Sequence, residues 1–239
     1  MLGVLMVWFE RLTSVVLLGM ISLHAYPYAV FPHSITYQNI SLHSDRPLPV
    51  ESTDVIRKAA ALVQASEITS PERKEHVFVS SERWKAWLFL PSRKSFASSI
   101  PLTDFAFVAD ADIRLNISRS GESDAGPRTL SSVIAHEITH GLIRERIGLV
   151  NEIRMPKWIK EGYCDYISRE SSFPEDEGRR LLLAGKDNPS KSFEYFVYRQ
   201  MVRHLIEDRG MRFQDLTAIS QDGDSAKAET IAAIRSNPN

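Results

Sequence analysis

Between Pro127 and Gly148 the chain sets apolar residues at helical spacing on almost every side. Leu130, Ile134, Ile138 and Leu142 form one stripe, and Val133, His136, His140, Ile143 and Ile147 form another. The spacing predicts a helix whose apolar character wraps most of its surface, and such a helix belongs inside a protein. Pro127 suits a first helical position, Arg144 and Arg146 suit the negative end of the helix dipole, and Gly148 is placed to end the helix. The rest of the chain must fold around this rod.

The chain before it is short-patterned and extended. Ile35 to Leu42, His76 to Ser80, Phe105 to Ala109 and Ile113 to Ile117 read as strands, with Ile113, Leu115 and Ile117 on one face. Ser52-Thr53-Asp54 caps a helix running to about Ile68, while Trp84 to Leu90 is apolar without a clear period. The chain beyond Gly148 reads as helices from Pro156 to about Arg169, Phe173 to Ala184, Ser192 to Asp208 and, weakly, Ala226 to Ile234. The expected fold class is therefore α+β, a small mixed sheet with a helical half after it. A length of 239 residues with 43% hydrophobic and 25% charged residues suits one domain with a real core. With 29 basic against 30 acidic residues there is no global field to recruit nucleic acid. A single cysteine, Cys164, rules out an intrachain disulfide.

No charged residue lies between Arg11 and Asp45, and Leu12 to Phe31 is overwhelmingly apolar. About 20 helical residues cross a hydrocarbon core of about 30 Å, so residues 1–32 are expected to form an N-terminal membrane helix that anchors the chain to a membrane. The alternative is a cleaved signal, with Leu23-His24-Ala25 as its best site. Arg11 and the terminal amine place the terminus in the cytoplasm and the remaining chain outside it, or secreted or periplasmic after cleavage. Residues 33–50 are expected as a stalk and first strand, and residues 51–239 as the folded domain.

His136-Glu137-Ile138-Thr139-His140 is the pattern H-E-x-x-H on the buried helix. Residues four apart are offset by about 40° around the axis, so both imidazoles can meet one ion, and neutral imidazoles suit Zn2+. Glu137 projects about 100° from His136, beside the metal rather than on it, where it can take a proton from an activated water as general base. A catalytic zinc site wants a third protein ligand. Twenty residues separate His140 from Glu161, enough to reach a second helix, on which Asp165 shares the face of Glu161 and can accept the other ring N–H of a histidine. Cys164, alone among apolar neighbours, reads as a small core residue.

The combination of HEITH, a gap of twenty and PKWIKEGYCDY resembles the gluzincins, the zinc peptidases that include thermolysin and the peptidase MA-like families. In these the second helix carries its ligand glutamate within W-x-x-E-G, matched here by Trp158, Glu161 and Gly162, and Asp165 matches the aspartate four residues on. The similarity covers Leu130 to Arg169. It implies a zincin-like fold, a zinc ion held by His136, His140 and Glu161, and hydrolysis of a peptide or protein substrate. It also implies an oxyanion-stabilising side chain on a later helix, Tyr198, with His204 as the other candidate. Zincins lay an extended peptide along an edge strand before the metal helix, and Ile113 to Ile117 is the strand pattern in that place. Two other readings stay open: a catalytically silent zinc-binding scaffold, and a zinc hydrolase acting on a non-peptide acyl group.

Overall fold

The computed structural model describes Thr13, Gly19, Leu23, His24 and residues 26–236 apart from 87, 93, 123–124 and 220–222. Two strands, β1 (His33–Tyr37) and β2 (Ile40–Ser44), form a hairpin whose turn places Gln38 in the left-handed region at φ 53°. Together with β3 (Glu75–Val79), β4 (Ala97–Ser99) and β5 (Phe105–Val108) they make a mixed sheet in the order β1-β2-β3-β5-β4. The central pairs β2/β3 and β3/β5 are parallel, while the outer pairs are antiparallel. A parallel pair needs a long crossover. Helix α1 (Ser52–Gln64) supplies the first, and a short helix α2 (Arg83–Ala86) lies in the second.

Alternation along the strands divides the core in two. Val77, Val79 and Val108 face α1 and the main helical core, whereas Phe78 and Phe107 face away and stack at 4.9 Å between ring centres. That second face is covered by Phe31, Phe89 and Leu90. A small antiparallel sheet comes next, with β6 (Ala111–Asp112), β7 (Ile117–Ser118) and β8 (Arg128–Thr129).

Helix α3 (Leu130–Ile147) starts where the Thr129 hydroxyl accepts the N–H of Ser132, and it ends at Gly148, φ 79°. Every residue from Leu130 to Ile143 is buried. It packs between α1 and α5 (Lys157–Ser168), reached through α4 (Leu149–Arg154). The remaining helices are α6 (Glu175–Leu183), α7 (Lys191–Arg203), α8 (Phe213–Thr217) and α9 (Gly223–Ser236), with a π-helical turn at His204–Asp208 after α7. At Gly162 any side chain would put a Cβ 2.5 Å from the Tyr198 carbonyl oxygen, so glycine lets α5 press backbone to backbone on α7.

The fold corrects several expectations. Among the described residues no helix is long and apolar enough to cross a membrane, so the expected N-terminal membrane helix is not supported. Most of the stretch expected to form it lies outside the described residues. Its far end is a 3-10 turn at Pro27–Ala29 that leads Phe31 onto the sheet against Phe78, Phe89 and Phe107. The strand expected at Ile113 to Ile117 is mostly a turn. The Asp112 carboxylate accepts the N–H of Leu115, Asn116 takes a φ of 52°, and its side chain bonds Ser131 at the start of α3. Asx-type turn chemistry here overrides the period-two pattern. Helix α3 begins at Leu130 rather than Pro127, because Arg128 and Thr129 pair with β7. Residues 33–50, expected as a stalk and one strand, carry both β1 and β2 of the main sheet.

Candidate metal centre

One side of α3 forms the floor of a cleft of about 430 Å³, into which Val133, His136, Glu137, His140 and Arg144 all face. Opposite stand Glu161 and Asp165 of α5 and Tyr195 of α7, and β4 forms one wall. The buried His136–His140–Cys164 group can hold a metal ion, its ligand atoms lying within 4.8 Å of one another.

The Nε2 atoms of His136 and His140 are 3.2 Å apart. Glu161 Oε2 lies 3.5 Å from the first and 3.6 Å from the second. Three mutually repelling or proton-sharing groups crowd a single point, an arrangement that a shared cation relieves. Bonds of about 2.0–2.1 Å at tetrahedral angles put zinc donor atoms about 3.3 Å apart, so the set fits such an ion. Glu137 is on the same cleft wall, displaced around the helix from the two imidazoles.

The supporting groups are ordered outward. His136 Nδ1 donates to Asp165 Oδ1 at 2.8 Å, which turns Nε2 toward Glu161. The same Asp165 oxygen takes an N–H from Arg128 at 2.9 Å, and Arg128 is tied down by Ser132, Ser168 and the Glu170 carbonyl. Burial opposes the charge on each member, but the Asp165 carboxylate and then Glu161 outweigh it at His136 and push its pKa up to about 10. The two histidines in turn hold Glu161 well below the usual carboxylate range against its burial. Arg128 and His136 do the same for Asp165. Burial, with the nearby charges of Glu161, Glu137 and Asp165, drives the Cys164 thiol well up, which favours its neutral form.

The sequence-predicted residues His136, Glu137, His140, Glu161 and Asp165 thus meet in one place. Tyr198 does not line the cleft: its hydroxyl donates to Glu194 at 2.5 Å. His204 is held by Asp208 at 2.7 Å. Tyr195, one turn earlier on α7, lines the cleft, and burial together with the charges of Glu161, Asp165 and Glu137 raises its phenol pKa. Sequence pattern alone does not single out Tyr195 or Arg128. The period of α7 places Tyr195 and Tyr198 nearly together, and nothing local distinguishes them, while Arg128 sits in the two-residue strand β8, which the fold brings to Asp165 across 37 residues of chain. The chain matches no family model, and no curated protein is similar to it.

Proposed function

We propose that the chain is a zinc-dependent peptidase of the gluzincin kind, in which His136, His140 and Glu161 hold the ion and Glu137 is the general base. The observation that carries this reading is the convergence of two imidazole nitrogens and one carboxylate oxygen at 3.2, 3.5 and 3.6 Å, with a further carboxylate in the same cleft. When bound, zinc makes a water nucleophilic at neutral pH and polarises the carbonyl under attack. Glu137 accepts the proton of the attacking water and returns it to the leaving amine. Asp165, clamped by Arg128, fixes the ring orientation of His136. The Tyr195 hydroxyl, kept neutral by its raised pKa, donates toward the oxyanion.

A second reading rests on Cys164. A thiolate joining the two histidines and Glu161 would close the coordination sphere and make the site structural. Both readings meet one experiment. Zinc content is measured in the wild type and in His136→Ala, His140→Ala and Glu161→Ala, and peptide-library cleavage is compared with that of Glu137→Gln. The expected outcome is one zinc per chain, loss of it in both histidine variants, weakened retention in Glu161→Ala, and retained zinc with a fall in cleavage of about 100-fold or more in Glu137→Gln. Stoichiometric zinc in the histidine variants, or undiminished cleavage by Glu137→Gln, overturns the proposal. A Cys164→Ser chain that loses zinc without any cleavage by the wild type favours the structural reading.

A further inference from the structure

The cleft-facing stripe of α3 continues one turn past His140 to Arg144. Three other charged groups along this wall, Arg128, Lys160 and Glu161, have partners. Arg128 holds Asp165 at 2.9 Å, Lys160 holds Glu152 at 3.1 Å, and Glu161 lies between the two imidazoles. Among the described residues the Arg144 guanidinium donates no hydrogen bond and closes no ion pair. Its charged neighbours are Glu152, already taken by Lys160, Arg73, which binds Glu75 at 2.6 Å, and Glu137 on the same face of the helix. Burial draws its pKa down, yet a guanidinium stays charged at any physiological pH. A half-buried cation that has shed water on one side and bonded nothing on the other is poised for a ligand. At the rim two exposed cations, Lys94 and Lys191, face one carboxylate, Glu122, so the mouth of the cleft also favours an anion.

We propose that Arg144 is a carboxylate receptor, so that the substrate carries an acidic group close to the bond being cleaved; this deepens the peptidase reading and rests on it. Geometry sets the distance. Four helical residues advance about 6 Å from His140. An extended peptide advances about 3.3 Å per residue, so the acidic group falls within about two residues of the reacting carbonyl. The planar fork of the guanidinium matches a carboxylate with two parallel N–H bonds. With Glu137 and Glu152 both near, a monoanion is accommodated better than a doubly charged phosphate. The carboxylate has two sources in a peptide, an Asp or Glu side chain and the chain terminus.

The test uses the full chain loaded with zinc and internally quenched peptides of neutral background. Each carries Glu or Gln at one of two positions on either side of the bond, and each is made as a C-terminal acid and as an amide. Binding of the same peptides to the Glu137→Gln chain is measured by titration calorimetry. We expect the acidic member to be preferred about 10-fold or more in both kcat/KM and Kd. Arg144→Gln should erase the preference, Arg144→Lys should keep part of it, and Arg144→Glu should transfer it to peptides bearing Lys. A preference that tracks the Glu position identifies a side-chain receptor, and one that tracks acid over amide identifies the terminus. Equal handling of charged and neutral peptides by the wild type overturns the receptor, as does a preference that survives in an Arg144→Gln chain of unchanged melting temperature. Arg144-dependent binding without any turnover upholds the receptor and sinks the peptidase reading. Turnover without charge preference does the reverse.

Discussion

Tyr195 and Tyr198 stand three residues apart on α7, yet their hydroxyls have different tasks. Tyr198 donates to Glu194, and Lys157 binds that same carboxylate at 2.9 Å, so the trio ties α7 to the start of α5. Tyr195 faces the three acids of the metal centre. Tyr195→Phe is therefore expected to lower kcat by about 10- to 100-fold with zinc content and KM nearly unchanged, whereas Tyr198→Phe changes kcat by less than about 2-fold. Steady-state kinetics on one cleaved peptide decides between them. The opposite ranking would return the role to Tyr198. At this scale the sequence is legible where function depends on spacing within one helix: His136, Glu137 and His140 are fixed by α3 alone, and Glu161 and Asp165 by α5 alone. It is not legible where a residue's role depends on which way a helix is turned, as for Tyr195, or on contacts far along the chain, as for Arg128.

Among the elements, β4 is the one that the peptidase reading ties most directly to a substrate. It ends the strand order, and it lines the cleft. The Phe96 carbonyl accepts from Ala109, and the Ile100 N–H donates to Phe105, so the even-numbered residues turn toward β5. The two-residue alternation leaves the N–H and C=O groups of Ala97 and Ser99 on the free edge, where an extended peptide can add as a further strand. Ser99→Pro should raise KM about 10-fold or more while zinc is retained, whereas Ser98→Pro breaks the ladder to β5 and should lower the melting temperature. Unaltered KM in a folded Ser99→Pro chain would place the peptide elsewhere. The short Ala-Ser-Ser run has neither the length nor the apolar alternation that marks a strand in sequence, whereas Ile113 to Ile117 has the alternation and forms a turn.

The same sheet has a pH-sensitive seam on its other face. His43 of β2 lies flat on Phe78 at 4.8 Å and shares a hydrogen bond of 3.1 Å with His76 of β3. Burial, aided by the charge of His76, lowers the His43 pKa to about 4. The folded chain thus resists a proton that the unfolded chain takes up near pH 6.5. Stability contributed by neutral His43 is full above about pH 6.5 and is lost progressively as pH falls through about 4. Urea titrations at pH 7 and pH 4.5 should show the drop, and His43→Phe should shrink it. An identical drop in that variant would assign the acid sensitivity to other groups.

Across the whole molecule, the metal donors come from α3 and α5 alone, with a turn and α4 between them, while the sheet supplies the cleft wall. A shared ion would therefore cross-link the two central helices of the main core. Chelation should lower the melting temperature by several degrees, and zinc should restore it, a cycle that calorimetry can track. A melting temperature indifferent to chelator would mean that the helices are held without the ion.

The raised pKa of His136 governs how the ion enters. With its pKa raised by Asp165 and Glu161, the His136 ring favours the protonated form, and a proton on Nε2 occupies the nitrogen that would bind the metal. On the zinc reading, uptake would exchange one cation for another, and filling the cleft would acidify its surroundings. In a weakly buffered solution at pH 7, about one proton should appear for each zinc bound, and apparent affinity should climb tenfold for each unit of added alkalinity until the ring gives up its proton unaided.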